Sequence, residues 1–133
     1  MAKILRTSDR IHVQIDDVRV SISPLSFHQK AEVQSMLSLQ SGYLKAAFAA
    51  IKYSVKAVSG IEVGDGEKYE LEFEEGGKAL SDQCVDDLLN MESSAKLLTV
   101  CASMMAGIPS AGFADAEGKP LEGVSIVKEA PGN

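Results

Sequence analysis

The chain has 133 residues, the length of a single domain, and its 45% hydrophobic and 24% charged residues are typical of a globular protein. Its formal net charge of −6 at pH 7 argues against binding nucleic acid mainly through phosphates, and Cys84 and Cys101 are too few for a disulfide framework. No apolar run approaches the ~20 residues of a membrane span, and the N-terminus lacks the apolar core of a secretory signal.

The first predicted elements are the two strands of a β hairpin. Residues 11–15 and 18–22 alternate apolar and polar side chains, which is the pattern of strands that bury one face. The Asp16-Asp17 pair between them has the length of a tight turn, and aspartate tolerates a positive φ better than most residues. We expect the second strand to stop at Pro24.

A helix is predicted from Phe27 to about Leu39. Ser26 and Gln29 match a capping box, in which the serine hydroxyl accepts a free amide of the first turn and the glutamine side chain reaches back. The segment contains neither glycine nor proline, and Gly42 follows as a helix breaker. Its apolar residues are spaced more loosely than an ideal buried stripe requires.

A second helix is predicted over residues 43–58, with Gly60 just beyond its end. Its apolar residues follow the i, i+3, i+4, i+7 spacing of a buried stripe at Leu44, Ala47, Phe48, Ile51, Val55 and Val58. One edge of this helix is basic, with Lys45, Lys52 and Lys56. Another strip consists mostly of small side chains, with Ala46, Ala50 and Ala57 beside Tyr53. Small residues let another backbone approach closely, so this strip is a candidate for self-association, although it also fits packing within its own subunit.

The next segment is predicted to be a second hairpin that carries a row of glutamates. Residues 61–63 and 68–74 flank a glycine-containing turn and alternate apolar and acidic side chains. The acidic face presents Glu70, Glu72 and Glu74, whose like charges repel one another. These glutamates are either solvated or neutralised by a basic partner, such as the lysine edge of a neighbouring copy.

Two further helices are predicted after this hairpin. Ser81 is a candidate N-cap of the first, and Ser93 is a candidate N-cap of the second, which extends to about Ala106. The second helix is apolar nearly all round, so it either lies at the centre of the core or is partly covered by another chain. Its candidate client-binding residues are Leu97, Leu98, Met104 and Met105.

We therefore expect an α+β fold that is mainly helical, with about four helices and one or two short β hairpins. Residues 1–108 are predicted to form one globular domain and residues 109–133 a loose tail with many glycines and prolines, in which residues 124–127 can add a short strand. Residues 1–61 carry eight basic and four acidic side chains, whereas residues 62–92 carry two basic and eleven acidic ones. One interpretation is that the basic and the acidic surfaces are both simply exposed to solvent. The other is that the basic surface of one copy attracts the acidic surface of another.

The sequence contains no catalytic, cofactor-binding or metal-ligating pattern. His12 and His28 have no Cys, Asp or Glu at ligand spacing. The Gly64-Asp65-Gly66 segment lacks the further residues that a phosphate or calcium loop requires, and a turn explains it. We expect a protein that is not an enzyme and that uses neither a cofactor nor a metal.

A series of features runs from residue 11 to residue 109. After the first hairpin it comprises SPLSF (23–27), YLKAAFAAIKYSVK (43–56), YELEF (69–73), LSDQCVDDLL (80–89), LLTV (97–100) and GIP (107–109). In this order the features resemble a tail assembly chaperone of bacteriophages with long, non-contractile tails. The resemblance covers most of the chain but includes no catalytic motif.

The resemblance implies an interaction protein that binds and coats the tape measure protein, a long, apolar and helical chain. Such a protein keeps the tape measure protein soluble and promotes assembly of the tail tube around it. The resemblance also implies self-association, including an open spiral or filament, and contact with the tail tube protein through a longer, frameshifted form. It implies a late protein of the host cell cytoplasm that is absent from the mature virion, and we expect no binding to nucleic acid or membranes.

Two other functions remain open at this point. A structural tail-completion or head–tail joining protein would persist in the virion and would usually form a closed ring. A small regulator would sequester another protein.

Overall fold

The computed structural model describes residues 4–39, 42–64, 66–105, 112–115 and 117–132. In these residues an α+β fold combines four helices, a four-stranded antiparallel sheet and a separate β hairpin. The elements in chain order are β1 (Ile11–Ile15), β2 (Val18–Ile22), α1 (Phe27–Leu37), α2 (Gly42–Ser54), β3 (Val55–Ser59), β4 (Glu62–Val63), β5 (Glu67–Lys68), α3 (Asp82–Leu89), α4 (Ser94–Ser103) and β6 (Val124–Val127). The predicted α+β class is confirmed, but the prediction of a mainly helical chain with short hairpins is corrected, because the sheet is a substantial layer of the fold.

The sheet has the strand order β3–β2–β1–β6, and each neighbouring pair is antiparallel. β1 and β2 form the predicted hairpin, and Asp16 in its turn has a φ of 51°. Val13 and Val20 are fully buried on one face of the sheet, and this face shares a single hydrophobic core with the helices. The alternation of apolar and polar residues therefore predicted both the hairpin and its buried face.

The last part of the predicted helix 43–58 is a strand. α2 ends at Ser54 and the chain continues directly into β3, which pairs with β2. Lys56 is an extra residue in β3, because the pairing with β2 shifts register at this point. Because of this bulge, Val55 and Val58 both pair with β2 residues that face the core, although they lie three positions apart. Their spacing is the same as the i, i+3 spacing of apolar residues in a helix.

The second predicted hairpin is present but short. β4 and β5 have two residues each and pair antiparallel. Beyond β5 the backbone does not continue as a ladder of paired strands. The amide of Tyr69 donates to the carbonyl of Ile61 at 3.0 Å, and Phe73 forms an isolated bridge with Leu80. Tyr69 and Leu71 nevertheless pack against the core, so the alternation of faces persists without a continuous strand.

The capping predictions are confirmed in position for three helices, and the capping hydrogen bond is present in two of them. Ser26 and Gln29 make both bonds of the capping box of α1, and Ser81 accepts a hydrogen bond from the first turn of α3 at 3.2 Å. Ser93 occupies the N-cap position of α4 without a capping bond from its side chain. Its hydroxyl instead donates to Asp16 Oδ2 at 3.0 Å, because the turn between β1 and β2 lies beside the start of α4.

The C-terminal part of the chain contributes the short strand that was anticipated there. β6 pairs with β1 along four residues and forms one edge of the sheet. α4 ends at Ser103, before the predicted Ala106. Ala106, residues 107–109 and Asp65 lie outside the described residues. No helix within the described ranges combines the length and the hydrophobicity needed to cross a bilayer.

Candidate interaction surface

The three lysines of the predicted basic edge have different surroundings. Lys52 Nζ forms ion pairs with the carboxylates of Glu74 and Asp82, the second at 2.6 Å. Hydrogen bonds to Asp82 and then to Glu74 raise the pKa of Lys52. Lys45 is exposed, whereas Lys56 is partly buried and its Nζ donates to a backbone carbonyl at 2.6 Å. Lys52 and Glu74, both candidates for contact with a second copy, are therefore joined to each other within one chain.

The strip of small residues on α2 packs inside its own chain. Ala46 and Ala50 are each 3% exposed and belong to the hydrophobic core. The Tyr53 hydroxyl donates to Glu32 Oε2 of α1, and this hydrogen bond, together with burial, raises the pKa of Tyr53 to about 12. In the folded chain Ala46 and Ala50 are not accessible to a second copy, and Tyr53 joins α2 to α1.

Glu70 and Glu72 remain exposed, as the alternating pattern predicted. The backbone of Glu72 is tied to the start of α3, since its amide donates to Cys84 Sγ at 3.0 Å and its carbonyl accepts from the Ser81 amide at 2.9 Å. The nearby Tyr69 is also fixed to α3, where its hydroxyl donates to a carboxylate at 2.7 Å. Glu70 and Glu72 therefore keep solvent-exposed carboxylates, and the backbone at Glu72 is anchored to the start of α3.

The candidate client-binding residues of α4 divide between core and surface. Leu97 and Met104 are 0% and 1% exposed, so contact with a client would require the fold to open. Leu98 and Met105 are partly buried against the same core. Cys101 is fully buried in this helix, and burial raises the pKa of its thiol to about 12. The thiol is consequently protonated near neutral pH and a poor nucleophile.

An apolar groove that the sequence reasoning missed lies between α1 and α2. It has a volume of about 390 Å³, its apolar lining comes from Met36, Leu44, Phe48 and Ala49, and its polar lining comes from Glu32, Lys45, Lys52 and Tyr53. Leu44 is 75% exposed, and three more exposed apolar side chains lie at the neighbouring ends of the two helices. Together these side chains form what we call the α1–α2 apolar surface, which consists of Met36, Leu37, Leu39, Tyr43, Leu44 and Phe48.

A signal for this surface was present in the sequence but was misread. The helical spacing placed Leu44 and Phe48 in a buried stripe, whereas α2 buries mainly its alanines and Ile51. In α1 only Val33 is buried, which agrees with the loose spacing of the apolar residues there. Large apolar residues that neither helix buries are left for solvent or for a partner.

The described residues contain no group of three or more His, Cys, Asp and Glu side chains arranged to hold a metal ion. Comparisons with protein-family models, with curated proteins and with solved structures found no match. A functional proposal therefore rests on the surfaces of this chain and on the resemblance of its sequence features.

Proposed function

We propose that this protein is a bacteriophage tail assembly chaperone that self-associates, coats the tape measure protein, keeps it soluble and promotes assembly of the tail tube. The observation that carries this proposal is the α1–α2 apolar surface. Monomeric proteins rarely leave large apolar side chains clustered in solvent, and such clusters commonly mark partner sites. A groove between two helices suits a third, apolar or amphipathic helix laid along it.

The residues of the groove fit an apolar helical client. Leu44 and Phe48 lie one helical turn apart on α2, and Met36 of α1 lines the same groove. Methionine adapts its shape to varied apolar partners, which suits a protein that coats a long chain without a fixed repeat. Glu32 and Lys45 among the lining residues offer polar contacts that can orient the client.

Self-association belongs to the same proposal and rests on the exposed charges. Lys45 of one copy would face Glu70 and Glu72 of the next, because Lys52 and Glu74 are already paired within the chain. The excess of basic residues in 1–61 and of acidic residues in 62–92 supports such an attraction. The tail tube protein would bind a longer, frameshifted form, and the protein would act in the host cytoplasm and leave before the virion matures.

Co-expression with the tape measure protein of the phage that encodes the chain tests the proposed function. The variant Leu39→Ser/Leu44→Ser removes two side chains that are 59% and 75% exposed, so its fold is retained. We expect wild type to keep the tape measure protein in the soluble fraction and the double variant to lose most of that effect. Val63→Ser, which alters a 50% exposed side chain in β4, is the matched control and should behave as wild type. Equal solubility with the double variant and with wild type would contradict the proposal.

A further inference from the structure

A second cavity, which shares Glu32 and Tyr53 with the groove between α1 and α2, is lined by several positively charged side chains. It has a volume of about 640 Å³, is partly open to solvent, and is lined by the segment before β1, the start of α1, β3 and the 77–78 loop. Arg10, Lys56 and Lys78 line it from three separate parts of the chain. Glu32 is the sole carboxylate among its described lining residues, and that carboxylate accepts the Tyr53 hydroxyl. The lining therefore carries an excess of two positive charges.

The bulge in β3 explains how Lys56 reaches this cavity. A bulge re-aims the side chain of the extra residue, and Lys56 is that residue. Its Nζ donates to the carbonyl of Lys78 at 2.6 Å. Burial lowers the pKa of Lys56, and the positive charge of the nearby Arg10 guanidinium lowers it further. No ion pair with a carboxylate of the described chain involves Arg10, Lys56 or Lys78, so none of these three side chains is paired with Glu32.

Neutral hydrogen-bond donors complete the cavity. The N-terminal turn of the 11-residue helix α1 opens on it through Ser26 and His28, and a helix N-terminus favours an anion. Ser23, which is 1% exposed, also lines the cavity. Thr7 and Ser8 add further hydroxyl groups on the wall formed by the segment before β1.

We propose that this cavity binds a phosphate group, either as inorganic phosphate or as the phosphoryl group of a small metabolite. A phosphate carries about −2 charge near neutral pH, which matches the excess positive charge of the lining. An arginine with two lysines supplies forked and single charge-assisted hydrogen bonds to its oxygens. The volume exceeds that of one phosphate and leaves room for the rest of a metabolite. The proposal of a phosphate site does not rest on the proposed chaperone function.

Isothermal titration calorimetry on the full chain tests the proposal, with inorganic phosphate and ribose 5-phosphate as probes and chloride at matched ionic strength. We expect saturable binding at one site per chain. Arg10→Gln and Lys78→Gln each alter an exposed side chain and should weaken binding about tenfold or more, because each removes a charge-assisted contact. Lys45→Gln removes the same charge from α2 outside this cavity and should leave the affinity unchanged.

The outcomes distinguish the two ligand sources and the competing explanations. Tighter binding of ribose 5-phosphate would identify a phosphorylated metabolite, whereas equal or weaker binding would identify inorganic phosphate. The absence of saturable heat with both probes would overturn the proposal. An equal loss with Lys45→Gln would also overturn it, by revealing diffuse charge attraction. Binding of a synthetic peptide of residues 68–76 in place of phosphate would assign the cavity to the acidic segment of a second copy instead.

Discussion

Asp16 joins three parts of the chain through one residue. Its Oδ1 accepts a hydrogen bond from Lys96 Nζ at 2.8 Å, and its Oδ2 accepts one from the Ser93 hydroxyl at 3.0 Å. Its amide donates to the carbonyl of Gly123 at 2.9 Å. The bonds from Lys96 and Ser93 lower the pKa of Asp16. The turn between β1 and β2, the start of α4 and the turn before β6 are thus held together at one point.

Asp16→Asn is expected to lower the melting temperature at pH 7 and to remove part of its pH dependence. A carboxyl whose pKa is depressed by folding contributes stability above its unfolded pKa of about 4, and this contribution is lost as pH falls through the folded pKa. Asparagine tolerates the positive φ at this position, so the turn itself is preserved. Thermal unfolding followed by circular dichroism should show a gap between the two proteins that is constant from pH 7 to about 5 and shrinks below about 4. A gap of the same size at pH 3 and pH 7 would exclude this role of the carboxylate.

The joint between helices α1 and α2 depends on a close backbone approach at Gly42. A Cβ atom at this position would lie 1.6 Å from the carbonyl oxygen of Met36. The amide of Gly42 donates to the carbonyl of Leu39 at 3.0 Å. The sequence pattern treats Gly42 as a helix breaker, whereas in the structure it is the first residue of α2 and sets how closely the two helices meet.

Gly42→Ala should destabilise the chain by about 1–3 kcal/mol, because the backbone must move to admit the methyl group. This sign is opposite to the gain of roughly 0.5–1 kcal/mol that alanine brings to an unobstructed helical position. Urea unfolding measures the difference, with Gly132→Ala as the control, since a Cβ there meets no atom within 4 Å. A neutral or stabilising Gly42→Ala substitution would show that the joint is not held by this contact.

The elements that the sequence predicted are those whose causes are local. The alternation in β1 and β2 and the capping box at Ser26 each depend on residues within one element and its turn. β3 was not predicted because its pairing with β2 is a long-range contact. In addition, its bulge separates Val55 and Val58 by three positions, which is the spacing of apolar residues on one face of a helix. The hydrogen bond of the Ser93 hydroxyl was missed for the same reason, since its partner Asp16 is 77 residues away in sequence.

The candidate site was predictable only in part. The exposure of Glu70 and Glu72 follows from alternation, and the sequence predicts it. The α1–α2 apolar surface could not be located, because spacing within α2 does not reveal which of its two apolar faces meets the core. The face of α2 that meets the core carries small side chains. Ala46 and Ala50 are buried there and let α2 approach its neighbours closely, whereas Leu44 is exposed to solvent.

The uneven distribution of charge along the chain predicts self-association that depends on salt. Light scattering on a sizing column should show a mass that rises with protein concentration and falls at high salt, because screening weakens attraction between exposed charges. Lys45→Glu should lower the mass at low salt, and Lys128→Glu, at another exposed lysine, should not. A single closed ring that is insensitive to concentration and salt would favour a structural protein of the virion. Mass spectrometry of purified virions would then detect the chain.

Hydrogen exchange of the full chain, alone and bound to a soluble fragment of the tape measure protein, tests most directly whether the α1–α2 apolar surface binds the client. The exchange of amides in α1 and α2 should slow on binding, since a helix laid in their groove suppresses local opening of both helices. Amides of α4 should change little, because Leu97 and Met104 already lie in the core. Slower exchange confined to α4, with α1 and α2 unchanged, would contradict the proposed site.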